Sequence, residues 1–93
     1  MSCRIDRVVN AEDFAVLLIS GRITGEHVDM LRSVLEQESG GFAIDLNNVL
    51  LVDREAVKLL ARSEANGTEL RNSPPYIREW VTRERVSGRR SKD

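Results

Sequence analysis

Metal and redox chemistry have little to work with in this chain. Its 93 residues include one cysteine and one histidine. A single cysteine, Cys3, closes no internal disulfide and cannot build a site from several thiolates. A single histidine, His27, excludes a His-rich metal centre. Aromatic residues are scarce too, with one Trp, one Tyr and two Phe. Net charge is −1, which gives no global pull toward nucleic acid or an acidic membrane surface. Long apolar runs are missing. The longest, Phe14–Ile19, is far too short to span a bilayer. No N-terminal stretch joins a basic start to a sufficient apolar segment, so no secretory leader is expected. The chain is expected to work in the cytoplasm, where it is made.

What is present belongs to a globular protein. Hydrophobic residues make up 41% and charged residues 31%. The length fits one domain. A chain of this size hides about 60–65% of its unfolded surface, enough for one core and too little for a deep dry pocket.

The first stretch, Ser2–Val9, alternates. Cys3, Ile5 and Val9 share one face and Arg4, Asp6 and Val8 the other, which predicts a half-exposed edge strand. Asn10–Asp13 suits a hairpin loop. Phe14–Ile19 is apolar on both faces and reads as a central strand ending at Ser20-Gly21. Thr24 is placed to cap a helix through its hydroxyl. Glu26 and Asp29 suit that helix start, and Val28, Leu31 and Leu35 give it an apolar stripe. Gly40-Gly41 reads as its stop.

Phe42, Ile44 and Leu46 alternate with Ala43 and Asp45 in a further strand. Asn47-Asn48 reads as a turn, and Val49–Val52 as a short strand or an extended apolar segment. Asp53 can cap the next helix, whose buried face is Ala56, Val57, Leu59, Leu60 and Ala61. Asn66-Gly67 is a helix stop. Thr68–Asn72 is short and polar, hence an edge strand. Ser73 reads as an N-cap with Pro74 at the first helical position. Tyr76, Ile77, Trp80 and Val81 then mark a last amphipathic helix. Beyond Thr82 no apolar period continues.

The predicted fold is therefore a single small α/β domain with three helices. Its sheet is mixed, mostly parallel and four- to five-stranded, with an antiparallel edge hairpin. Residues 1–81 form the domain. Residues 82–93 form a basic, flexible tail.

The segments Val16–Thr24 (VLLISGRIT), Phe42–Leu60 (FAIDLNNVLLVDREAVKLL), Asn66–Asn72 (NGTELRN) and Ser73–Val81 (SPPYIREWV) resemble a STAS domain, the fold of bacterial anti-sigma factor antagonists. The likeness spans Phe14 to Val81, and the middle segment is its most specific part. Family members place two hydroxyl residues and a glycine after the aspartate that opens the second helix, and a partner kinase phosphorylates one hydroxyl. Matched position by position, Asp53 is that aspartate, Arg54 and Glu55 fill the hydroxyl positions, and Ala56 replaces the glycine. The family often carries an aspartate where this chain has Thr24. The resemblance thus implies a member that cannot be switched by phosphorylation at the usual place. Two readings of Glu55 stay open. It places a fixed negative charge where phosphate would go, though with one charge and fewer oxygens than phosphate. Or it only favours the helix dipole, by roughly 0.3–1 kcal/mol.

No sequence pattern supplies a nucleophile with its base or a phosphate-cradling glycine loop. His27 reads as a surface residue and Cys3 as unreactive. For Asp45, bonding to loop amides competes with a binding role. Arg83, Arg85, Arg89, Arg90 and Lys92 form the one basic cluster. Glu84 and Asp93 dilute it and no aromatic interleaves it, so it reads as solvated and no nucleic-acid partner is expected. Tyr76 and Trp80 read as a pair at the core's edge, and Trp80 could anchor a homodimer.

No enzyme activity, cofactor or membrane insertion is expected. The resemblance implies a protein–protein interaction module docking on a kinase-like anti-sigma partner, with bacterial transcription regulation as its setting. The implied contact surface is Arg22, Thr24, Asn47, Asn48, Asp53, Arg54, Glu55 and Lys58. The alternative it implies is an accessory subunit of a lipid-transporting ATPase complex.

Overall fold

The computed structural model describes residues 3–12, 14–38 and 41–90. Ser2, Asp13, Gly40, Lys92 and Asp93, read above as strand, loop, helix stop and tail, lie outside the described residues. The elements are β1 (Cys3–Val9), β2 (Ala15–Ile23), α1 (Gly25–Glu36), β3 (Phe42–Val52), α2 (Arg54–Ala65), β4 (Glu69–Arg71) and α3 (Pro75–Arg90). The strands form one sheet in the order β1-β2-β3-β4. β1 runs antiparallel to β2, and the β2–β3 and β3–β4 pairings are parallel. This is the expected mixed α/β architecture, with four strands among the described residues.

Local chemistry explains the elements. The β1–β2 hairpin closes on Asn10, whose Oδ1 accepts from the Glu12 amide at 2.8 Å and the Phe14 amide at 3.0 Å. Such side-chain bonding is why asparagine favours turns. Strand alternation turns Ile19 of β2 and Ile44 and Leu46 of β3 toward the helices. They meet Val28 and Leu31 of α1, Val57 and Leu60 of α2, and Ile77 and Val81 of α3 in one core. Burying one leucine such as Leu60 stabilises by about 1.5–3 kcal/mol. α2 is the most deeply seated helix, with Ala56, Val57, Leu59, Leu60, Ala61 and Ser63 all buried. On the opposite sheet face the Arg71 guanidinium lies over the Phe14 ring, 5.5 Å from its centroid.

Several local expectations are corrected. The chain does not turn at Asn47-Asn48. β3 is one strand of 11 residues and includes Val49–Val52. It absorbs an extra residue twice, between the pairs Leu18/Asp45 and Ser20/Asn48 and between Gly21/Val49 and Arg22/Leu51. These are β-bulges, and they satisfy the Asn-Asn irregularity without breaking the strand. Asp45 supports the first, its Oδ1 accepting from the Asn47 amide at 2.9 Å. Its Oδ2 accepts from the Asn72 side-chain amide at 2.9 Å, which pins the loop after β4. Gly21 stands at the second with φ 91°, a conformation that costs glycine little.

α1 ends at Glu36 with Gln37 as its C-cap, ahead of the glycines. α3 begins one residue later than expected. The Pro74 carbonyl accepts from the Ile77 and Arg78 amides, so Pro75 is the first helical residue. Ser73 Oγ is buried with no hydrogen-bond partner among the described residues, so it caps nothing. α3 also continues past Val81 to Arg90. Arg83 pairs with Glu79 at 3.1 Å, and Arg85 reaches Glu64 of α2 at 3.0 Å. Extending an anchored helix is far easier than nucleating one, so these pairs carry it on without an apolar period.

Candidate functional site

In parallel α/β sheets the strands' C-terminal ends are where functional loops gather. Here two of the three strand-to-helix connections are one residue each, Thr24 between β2 and α1 and Asp53 between β3 and α2. Both are extended, and the Asp53 amide donates to the Ile23 carbonyl at 3.2 Å, holding the connections side by side. The first turns of α1 and α2 therefore converge.

Asp53 occupies the point of convergence. Its Oδ1 accepts from the Ala56 amide at 2.9 Å, the expected cap of α2. Its Oδ2 accepts from the Gly25 amide at 2.7 Å, the first residue of α1. Thr24 stands at the N-cap position of α1 but makes no side-chain cap hydrogen bond. The expected threonine cap is thus replaced by a carboxylate from 28 residues further along. A charged acceptor binds an amide more strongly than a hydroxyl does, and it faces two helix dipoles at once. Helix N-termini commonly bind anions. Here the chain's own carboxylate takes that place.

Around this joint lie exposed charges. Arg22, Arg54, Glu55 and Lys58 are all exposed, and none makes a side-chain hydrogen bond or ion pair with a described residue. Glu55 sits in the first turn of α2, where its charge favours the dipole. Thr24 and Asp53 are half-buried. Asn47 and Asn48 do not join this group. They lie within β3, Asn48 opposite Ser20. Five strand steps separate Asn48 from Asp53, on the order of 15 Å. Their exposure leaves them accessible, but on a separate part of the surface.

The sequence reading missed an apolar patch beside the charges. Leu50 is 71% exposed, Leu51 45% and Tyr76 47%. Leu51 pairs with Arg22 across the sheet. The Tyr76 hydroxyl donates to the Leu50 carbonyl at 2.6 Å, which seats α3 against this part of β3. β4 pairs only with Ala43–Asp45, so β4 does not cover this end of β3. A signal was available: in Val49–Val52 strand geometry must turn some of four consecutive apolar side chains away from the core.

Glu64, Arg78, Arg85, Arg7 and Glu38 are held in ion pairs within the fold. Arg78 donates to both Glu64 oxygens, at 2.8 and 2.7 Å, and Arg85 adds a third contact. Hydrogen bonds from Arg78, outweighing partial desolvation and helped by Arg85, hold the Glu64 carboxyl below its ordinary range. The bidentate bond to Glu38 raises the Arg7 guanidinium above its ordinary range. Partial burial pushes the Cys3 thiol up, which leaves little reactive thiolate. His27 is half-buried, its Nδ1 without a hydrogen-bond partner among the described residues. Among the described residues no cluster of three or more His, Cys, Asp or Glu side chains could hold a metal ion. No described helix is long and apolar enough to cross a membrane.

The fold has a counterpart among solved structures. A crystal structure of an antisigma-factor antagonist, STAS domain, from Rhodobacter sphaeroides matches 89% of this chain and 90% of its own, with a TM-score of 0.59 and 12% identity. The fold is a STAS fold. No protein-family model and no curated protein sequence matches the chain.

Proposed function

We propose that this chain is a non-catalytic docking module that acts as an anti-sigma factor antagonist. It occupies a kinase-like anti-sigma partner and so frees a sigma factor, with no phosphorylation switch at Arg54 or Glu55. The observation that carries this reading is Asp53 bonded to both helix starts. Asp53 already occupies one first-turn amide of each helix, so this end offers a pre-organised surface instead of an open anion pocket. Arg22, Arg54, Glu55 and Lys58 form a polar rim, and Leu50, Leu51 and Tyr76 supply the apolar centre that interfaces need.

The apolar patch also favours a second reading, an accessory subunit of a lipid-transporting ATPase complex. Permanent interfaces are more apolar than transient ones. Co-purification from the native host, followed by calorimetry with the identified partner, separates the two. A histidine-kinase-like or sigma-related protein supports the first and a transporter ATPase the second. Lys58→Glu together with Leu50→Asp is expected to weaken that complex at least about tenfold, or 1.4 kcal/mol. Unchanged affinity in this variant would place the contact elsewhere and sink both.

A further inference from the structure

We propose that the chain forms a symmetric dimer by pairing β1 with β1 of a second copy, joining two sheets into one. This inference is independent of the docking function proposed above.

β1 is an edge strand that pairs along its whole length with β2 in an unbroken register. Its outer edge pairs with no described strand. Proteins commonly blunt such edges with proline, bulges or obstructive charges. β1 contains no proline and no register shift, and its charges are Arg4, Asp6 and Arg7. A groove of about 560 Å³ runs between β1 and α1, lined by Cys3, Ile5, Met30 and Val34, with Arg7, Gln37 and Glu38 forming its polar part. Met30 is exposed on its wall, and Val9 is exposed on the same face of β1 as Ile5. A free edge next to a groove that is apolar on its Cys3, Ile5, Met30 and Val34 side suits an added strand, whose alternate side chains enter the groove.

The charges select a second copy as that strand. In a twofold antiparallel pairing with helices on the same side, one residue meets its own equivalent at the axis, and flanking residues pair symmetrically. With Arg4, Asp6 or Arg7 at the axis, like charges face each other. With Ile5 at the axis, Arg4 of each copy faces Asp6 of the other on the open sheet face, and the two isoleucines meet on the groove side. Cys3 then faces Arg7, whose charge is already held by Glu38 at 2.7 Å. Arg4 and Asp6 are both solvent-accessible, so they can exchange their present mutual contact at 3.1 Å for two contacts across the axis. Within the chain their partners on β2 are Ser20 and Leu18, so no charge on β2 opposes this arrangement.

Charge swapping tests the register. Sedimentation velocity on the full chain, from micromolar to millimolar concentration, should show a concentration-dependent dimer. R4D alone or D6R alone places like charges at both cross-axis pairs and should weaken dimerisation about tenfold. The double variant R4D/D6R restores opposite charges and should recover it. Ile5→Cys in a Cys3→Ser background should cross-link under mild oxidation, since Cα atoms of directly paired residues lie within disulfide reach. Far-UV circular dichroism confirms that each variant is folded. A wild-type chain that stays monomeric overturns the proposal, and the groove would then be open to a foreign extended peptide. A dimer indifferent to R4D and D6R, or one that the double variant fails to recover, overturns it equally.

Discussion

Replacing Asp53 with alanine is expected to loosen two helices with one substitution. The carboxylate accepts from Ala56 at 2.9 Å and from Gly25 at 2.7 Å. Loss of an N-cap costs about 1 kcal/mol, within a range of roughly 0.5–2. The Gly25 bond adds about another 1 kcal/mol. Removing the negative charge from two helix N-termini adds a few tenths to about 1 kcal/mol at each, partly overlapping with the bonds themselves. The total is about 2–4 kcal/mol. A domain of this length typically has about 5–14 kcal/mol of stability, so the loss is a large share of it. It corresponds to a fall in Tm of roughly 8–32 °C, at about 4–8 °C per kcal/mol. Asp53→Asn keeps one accepting oxygen but turns an amide donor toward the other N–H. It should lose about half as much. Thr24→Ala is the control. The Thr24 side chain makes no cap bond, so the change should stay within about 0.5 kcal/mol. Urea titrations followed by circular dichroism measure all three. The reasoning is refuted if Thr24→Ala is as damaging as Asp53→Ala, or if Asp53→Ala changes stability by less than about 0.5 kcal/mol.

Two further outcomes follow from polar contacts elsewhere. Arg78 and Arg85 hold the Glu64 carboxyl below its ordinary range, so folding disfavours its protonation relative to the unfolded chain. The stability this confers is complete above the unfolded value, near pH 4.3, and is lost as pH falls through the lower folded value. Glu64→Gln should therefore cost about 1–2 kcal/mol near neutrality, with the gap from wild type closing in acid; urea unfolding at several pH values checks this. Asn72 has φ 55° and bonds to Asp45. Asn72→Ala should lose about 1–2 kcal/mol from strain and the missing bond, whereas Asn72→Gly should lose less because only the bond disappears; thermal melts of the pair separate the contributions.

The elements were legible wherever side chains repeat. Alternation in Cys3–Val9 and in Phe42–Leu46, and the apolar stripes of α1 and α2, report local side-chain direction. Asp53 as the cap of α2 was legible too, because cap and helix are adjacent. Its bond to Gly25 was not, since no local rule links positions 28 residues apart. The same limit explains Thr24. Its residue type and place suit a cap, but a competing carboxylate arrives only on folding. At Asn47-Asn48 composition argued for a turn, while the β2 ladder held the strand and turned the irregularity into a bulge. Of the contact surface read from sequence, Arg22, Thr24, Asp53, Arg54, Glu55 and Lys58 belong to one end of the sheet. Asn47 and Asn48 do not, because the strand continues past them.

The sequence by itself determined the order of strands and helices, and which residues follow Asp53. Both are properties of neighbours along the chain. Tertiary structure alone decided that one carboxylate joins two helix starts, that Leu50 and Leu51 face outward beside Tyr76, and that Arg85 closes on Glu64 to carry α3 onward. Each depends on which surfaces meet across the sheet. Hydrogen bonding and burial act on distance in space, which the spacing of residues along the chain does not record.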